Sequence, residues 1–216
     1  MIRSPAPAPN RPDTLLRQAA LPALILVAIV VTVVVPQFFP ADGGPTGLDS
    51  ALEGHIHSAL DGHRWLYSVL VAPSNNTIII PVQLLAAAWF AYRRRWWSAG
   101  FMILGPEFAI LVNSFALKPF WDRQLHHYLA YPSGHTVQLI AVVTALALVS
   151  ESVRARVTIV VVTVVLLPAV LVGMVGLGYH HPTDVLGGTT AAVALVTAAY
   201  LPFRAVALTR TRQPRQ

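Results

Sequence analysis

The sequence predicts an all-α protein, a polytopic bundle of six transmembrane helices with an extracytoplasmic amphipathic helix in the long loop after the first. Three observations carry this prediction. The 216-residue chain is 55% hydrophobic and 11% charged, with a mean hydropathy of +0.60, too apolar for an ordinary soluble domain. Six apolar stretches approach the roughly 20 helical residues that a hydrocarbon core demands. The cations sit in short clusters between those stretches rather than along one soluble face. The net charge of +6 therefore argues for membrane-flanking loops and against nucleic acid.

Along the chain, residues 1–14 are proline-rich and predict a disordered cytoplasmic tail. The first span, Ala19 to Phe39, has an apolar run longer than a signal-peptide core. No small-residue cleavage site follows Pro36 to Pro40, so the span reads as a retained anchor. In the loop from Pro40 to Asn76, the stretch Leu48 to Leu70 places Leu52, Ile56, Leu60, Leu66 and Val69 at helical spacing. This is the pattern of an interfacial helix able to shelter a site. The remaining spans are Asn75 to Tyr92, Trp96 to Leu117, Gly134 to Ser150, Val157 to Leu177 and Val185 to Phe203, the first and third of these five being short. Residues 15–207 form one membrane domain without an internal repeat, and 208–216 form a basic cytoplasmic tail.

Orientation follows from counting basic residues in short loops. Twelve arginines fall on one side (3, 11, 17, 93, 94, 95, 154, 156, 204, 210, 212 and 215), and Arg64, Lys118 and Arg123 fall on the other. The first side is predicted to be cytoplasmic, with both termini on it, in a plasma or cell inner membrane. Arg outnumbers Lys fourteen to one, and with the abundance of Ala and Val this fits a GC-rich bacterial genome. All eight histidines (55, 57, 63, 126, 127, 135, 180 and 181) lie on the predicted outer face. With no cysteine in the chain, thiolate chemistry and disulfides are excluded.

Three pieces converge on that face: Lys118 with Arg123, YPSGH at 131–135, and YHHPTD at 179–184. Ser133 and Gly134 open the fourth span, so their backbone N–H groups are expected to act as anion donors at its positive end. Lys118 and Arg123 add charge-assisted donors, and no metal or other cofactor is called for. His135, in the first turn, is placed to pass a proton near neutrality. His180 and Asp184 share a helical face at i, i+4. The carboxylate then holds one ring nitrogen and leaves the other for attack on phosphorus. His181 competes for that role but lacks the four-residue spacing. His55, His57, His63, His126 and His127 show no metal-ligand spacing and read as solvated interfacial residues. Glu107, inside the third span, is expected to hydrogen-bond another helix.

PSGH followed by HxxxD, with an upstream Lys, resembles the type 2 phosphatidic acid phosphatase (PAP2) and vanadium haloperoxidase superfamily over roughly Lys118 to Gly188. The helix layout resembles its membrane lipid phosphatase branch. The resemblance implies a lipid phosphate or pyrophosphate as membrane substrate. It also implies His180 as the residue phosphorylated, Asp184 as its orienter and His135 as the acid that later activates water. Lys118, Ser133 and Gly134 are implied as phosphate ligands.

Two motif arginines are missing. Leu125 and His126 stand where the first motif places Arg-Pro, and Gly173 and Met174 stand where the third places Ser-Arg. Arg123 is the candidate to replace one guanidinium, with a surface pair to Asp122 weighed equally, and Arg64 to approach the other vacancy. The departures leave two functions open: a lipid phosphatase, or a degenerate member that binds a lipid phosphate or a partner protein without turnover. The sequence carries no signal for an oligomeric state.

Overall fold

The computed structural model describes residues 11–211, with side chains from 19 to 207. The expected tails fall mainly outside this range. Within it, the first helix already starts at Arg11 and the last runs to Thr211.

Among the described residues there are nine α-helices: α1 (Arg11–Val34), α2 (Gly47–Leu60), α3 (Arg64–Val71), α4 (Asn76–Tyr92), α5 (Trp96–Val112), α6 (Lys118–Trp121), α7 (Gly134–Val149), α8 (Val153–Gly176) and α9 (Pro182–Thr211). Five helical stretches are long and apolar enough to cross a membrane: Ala19–Phe38, Gly47–Tyr92, Trp96–Trp121, Val153–Gly176 and Pro182–Ala207. The sixth span is α7. At 16 residues it is about 24 Å long, shorter than a hydrocarbon core of about 30 Å. It survives at that length because it is the central helix, packed against α5, α8 and α9, with Val137, Ile140, Ala141, Val142 and Ala145 buried.

The loop helix expected over 48–70 is present but broken. Helix α2 opens with a capping box, in which the Thr46 hydroxyl accepts from the Asp49 N–H while the Asp49 carboxylate accepts from the Thr46 N–H. A 3₁₀ turn at Asp61–His63, with Gly62 at its centre, then separates α2 from α3. Helix α3 lies on α8, where a Cβ at Gly176 would stand 2.2 Å from the Tyr67 ring, so only glycine permits this approach.

Helix α5 ends in a π turn, Asn113–Leu117, whose extra residue per turn re-aims the chain before Lys118. Asn113 Nδ2 donates to the Pro132 carbonyl (3.4 Å), tying that turn to the loop before α7. Between α6 and α7 a small hairpin pairs Gln124–Leu125 with Tyr128–Leu129. The first and last spans meet along their length, with the Thr32 and Thr190 hydroxyls 2.8 Å apart.

Candidate active site

The first turns of α7 and α9 are stitched together. Ser133 N–H donates to the Asp184 carbonyl (3.0 Å), and a Cβ at Gly188 would lie 2.7 Å from the Ser133 carbonyl. Close contact between the two helices fixes His135 relative to His180, whose ring centroids are 6.2 Å apart and nearly perpendicular. The Tyr131 ring fills the space beside Gly187, and its hydroxyl donates to the Thr32 carbonyl (2.6 Å), anchoring the same loop to α1.

A cavity of about 590 Å³ opens at this junction, lined on one side by Lys118, Gly134, His135 and His180. Tyr128, Tyr179, Asn75, Asn76, Gln138 and Ile110 complete it. The Lys118 ammonium donates to the Leu129 carbonyl and keeps its remaining donors at the cavity wall. The Tyr179 ring stacks on His135 at 6.3 Å and 14°, held in turn by the Tyr128 hydroxyl, which donates to the Tyr179 carbonyl. Of these six only Tyr179, in the YHHPTD run, belongs to a sequence motif, and it was given no role there. Asparagines at the start of a span and tyrosines beside motif histidines were the available signals.

His180 is buried, with its Nδ1 3.6 Å from Asp184 Oδ2. That separation is an ion-pair contact a few tenths of an ångström too long for a hydrogen bond, and Nδ1 has no other partner among the described residues. Nε2 is left on the opposite edge of the ring, toward the cavity. Burial pushes the His180 imidazole below its ordinary value, with Asp184 pulling the other way. His181 turns away, its Nδ1 2.6 Å from Glu53 Oε1 on α2.

Three expected ligands sit otherwise than the sequence reading placed them. The Ser133 hydroxyl is fully buried as the N-cap of α7, 3.0 Å from the Thr136 hydroxyl and 3.4 Å from its N–H, and the Ser133 N–H is taken by Asp184. Gly134 does line the cavity, at the start of a helix whose first-turn N–H groups have no intrahelical acceptor.

Arg123 is buried away from the cavity, and all five of its N–H donors are engaged. Nε donates to the Gly43 carbonyl (3.1 Å). Nη1 donates to the Thr183 hydroxyl and Asp184 Oδ1 (both 2.8 Å), and Nη2 to the Gly44 carbonyl (2.8 Å) and Asp49 Oδ2 (3.2 Å). It pairs with neither a surface Asp122 nor the anion site. Arg64 is exposed at the start of α3 and does not line the cavity. Met174 is fully buried, its sulfur receiving the Ser133 and Thr136 hydroxyls at 3.8 and 3.7 Å.

Glu107 is linked to other helices as expected. Gln83 Nε2 on α4 donates to it (3.4 Å), and Gln138 on the cavity wall donates to Gln83 (3.2 Å). Among the described residues no group of three or more His, Cys, Asp and Glu side chains is placed to hold a metal ion. His55 meets the Ala51 carbonyl and His57 meets Asp61.

The model of the PAP2 superfamily matches residues 19–206. The chain belongs to the PAP2 superfamily. Among solved structures this PAP2 chain is similar to the crystal structure of the first transmembrane PAP2 type phosphatidylglycerolphosphate phosphatase from Bacillus subtilis, at 18% identity and a TM-score of 0.59. The match covers 91% of this chain and 98% of that one, so the two share a fold from end to end. No curated protein sequence matches the chain.

Proposed function

We propose that this PAP2 protein is a membrane phosphatase that removes phosphate from a lipid phosphate or lipid pyrophosphate through a phosphohistidine on His180. The reading rests on one observation: His180 and His135 face a single cavity together with Lys118 and the N-terminus of α7, with Asp184 directly behind His180.

In the first step the Nε2 lone pair of His180 bonds to phosphorus as the phosphorus–oxygen bond to the lipid breaks. His135 donates its proton to the departing oxygen. Water then attacks phosphorus while His135 takes its proton, and the nitrogen–phosphorus bond returns its electrons to Nε2. Lys118 and the first-turn N–H groups of α7 neutralise the phosphoryl oxygens, a set of donors that needs no metal. The phosphatidylglycerolphosphate named for the structural relative belongs in the substrate panel, beside phosphatidic acid and polyprenyl pyrophosphates. The twelve-to-three division of cations supports an extracytoplasmic site with both termini cytoplasmic. A cysteine at Ser58 is then labelled from outside by an impermeant thiol reagent, and one at Ser98 is not.

A second reading, phosphate binding without turnover, draws on the cavity's cations. Among the described residues Lys118 is the one cationic side chain lining it, since Arg123 is engaged elsewhere and Met174 fills a motif arginine's place. The deciding experiment is phosphate release by detergent-purified protein across the lipid panel, with acid-quenched trapping of the phosphoenzyme and a chelator control. The phosphatase reading expects turnover that survives chelation, and loss of both turnover and phosphoenzyme by about ten-thousandfold in His180→Ala. Binding of vanadate with no turnover on any lipid selects the second reading. Abolition by chelator removes the metal-free mechanism.

A further inference from the structure

Behind His180 lies a cluster of three buried charges whose sum is not zero. Asp49 and Asp184 are fully buried and Arg123 nearly so, and both carboxylates contact the same guanidinium. The Phe39 ring covers that guanidinium at 3.8 Å from its centroid, shutting out water. One cation between two carboxylates leaves one negative charge in excess. The nearest buried group able to become positive is His180, 3.6 Å from Asp184 Oδ2.

We propose that Arg123 is a positioning residue that offsets the charge of Asp184 and holds it aimed at His180, with Asp49 of the loop helix setting the surplus negative charge that the phosphorylated imidazolium balances. This rests on the phosphohistidine reading above. The chemistry is specific. A phosphoryl group on Nε2, with a proton retained on Nδ1, makes the ring formally cationic, and that charge appears at the buried edge facing Asp184. The resting cluster is thus charged in the sense that the intermediate neutralises, which is preorganisation for the intermediate.

The geometry assigns each carboxylate oxygen a task. Asp184 Oδ1 accepts from Arg123 Nη1 (2.8 Å), while Oδ2 accepts from the His181 N–H (2.9 Å) and faces His180. Asp49 is saturated by the Thr46 N–H and hydroxyl, the Thr183 N–H and hydroxyl, and Arg123, so it has no acceptor capacity directed at the histidine. Removing the guanidinium would leave two carboxylates buried together, and such a pair takes up a proton. A protonated Asp184 cannot balance an imidazolium.

The charged and titratable groups facing Asp184 are Arg123 from the loop after α6, Lys118 and Tyr128 across the cavity, Tyr131 before α7, and His180 and His181 just before its own helix, α9. Of these only Arg123 is a cation in direct contact with a carboxylate oxygen. A purely structural account is available, because Arg123 also holds the Gly43 and Gly44 carbonyls. The test must therefore read charge.

The experiment follows phosphoenzyme formation by rapid acid quench with dioctanoyl phosphatidic acid and farnesyl pyrophosphate, across pH, in full-length protein in detergent. Arg123→Gln is expected to slow formation by about ten- to a hundredfold. Its acid limb should move to higher pH, because Asp184 then protonates more readily. Arg123→Lys should retain the wild-type limb. The double variant Arg123→Gln, Asp49→Asn restores the single surplus charge and is expected to form phosphoenzyme faster than Arg123→Gln alone. A structural staple predicts the reverse, since the double variant has lost both partners. A double variant no faster than Arg123→Gln, or an Arg123→Gln limb superimposed on the wild type, overturns the proposal. If Arg123→Gln does not fold, Asp49→Asn alone decides. The cluster is then neutral, the limb is expected at lower pH, and an unmoved limb overturns the proposal. Wild-type protein with no phosphoenzyme on either substrate takes down the phosphohistidine reading and this inference together. Wild-type phosphoenzyme with indifferent Arg123 variants takes down this inference alone.

Discussion

The two ends of α7 are built in opposite ways. At its C-terminus the carbonyls are closed off: Arg95 Nη2 donates to Val149 (2.7 Å), Arg156 Nε donates to Ser150 (2.7 Å), and the Ser150 hydroxyl folds back to Leu146 (2.6 Å). Arg95 is further held by Glu151 at 3.1 Å. At the N-terminus the Ser133 hydroxyl caps Thr136, and the first-turn residues Gly134 and His135 are left lining the cavity. The same helix dipole meets fixed cations at one end and an open cavity at the other. An apolar helix too short to span a full hydrocarbon core thus brings a socket into the membrane boundary at one terminus and ends in a stop at the other.

The largest expected effect that sharpens this contrast is at His135. His135→Ala should lower the rate on a lipid alkoxide leaving group by about a thousandfold, and by far less on an aryl phosphate whose leaving group needs no proton. Equal losses on both substrates would deny His135 the acid role.

Next comes the donor beside it. Gly134→Pro removes one N–H from the socket while respecting the helix, since proline suits the first helical position and Ser133, at φ −59° and ψ 119°, already has the extended ψ that precedes proline. A Cβ there meets Lys118 Cε at an ordinary 3.8 Å. The variant should keep its thermal unfolding midpoint and lose about a hundredfold in kcat/KM. An unchanged rate would mean that the phosphate does not use this terminus.

The smallest effect is expected at the closed end. Arg95→Ala removes a charged donor from a helix C-terminus and should destabilise the protein by about 1–2 kcal/mol with kcat/KM unchanged. A rate loss there would break the division between the two ends.

Much of the fold was legible because each span carries its own signal in a continuous apolar run. The boundaries of α4 and α7 agree with the sequence reading to within a residue, and α8 starts four residues earlier than expected, at Val153. The loop helix was legible as apolar periodicity, but its break was not, since Gly62 alone is a weak punctuator. In the site, His135 stands in the first turn of α7 as its place after Gly134 indicated, and the four-residue spacing pairs His180 with Asp184, although His180 lies two residues before α9 and not on a shared helical face. Arg123 was misread because its position is set by Asp49 and Asp184, 74 and 61 residues away, and no local pattern encodes such a pairing. Asp49 had a readable signal, the capping-box spacing from Thr46, which explains its two reciprocal hydrogen bonds to that residue and none of its distant ones.

Those separations also fix an order of events during synthesis. Asp49 leaves the ribosome first, Arg123 follows 74 residues later, and Asp184 comes 61 residues after that, on the order of 3 to 12 s at ordinary elongation rates. Before Asp184 is made, the groups of the cluster are one Arg and one Asp, whose charges sum to zero. The surplus carboxylate arrives only with α9, the span that also closes against α1 and α7. A chain stopped before α9 therefore carries Arg123, His135 and His180 but not Asp184, the carboxylate behind His180. The buried cluster is complete only when α9 packs against the rest of the bundle.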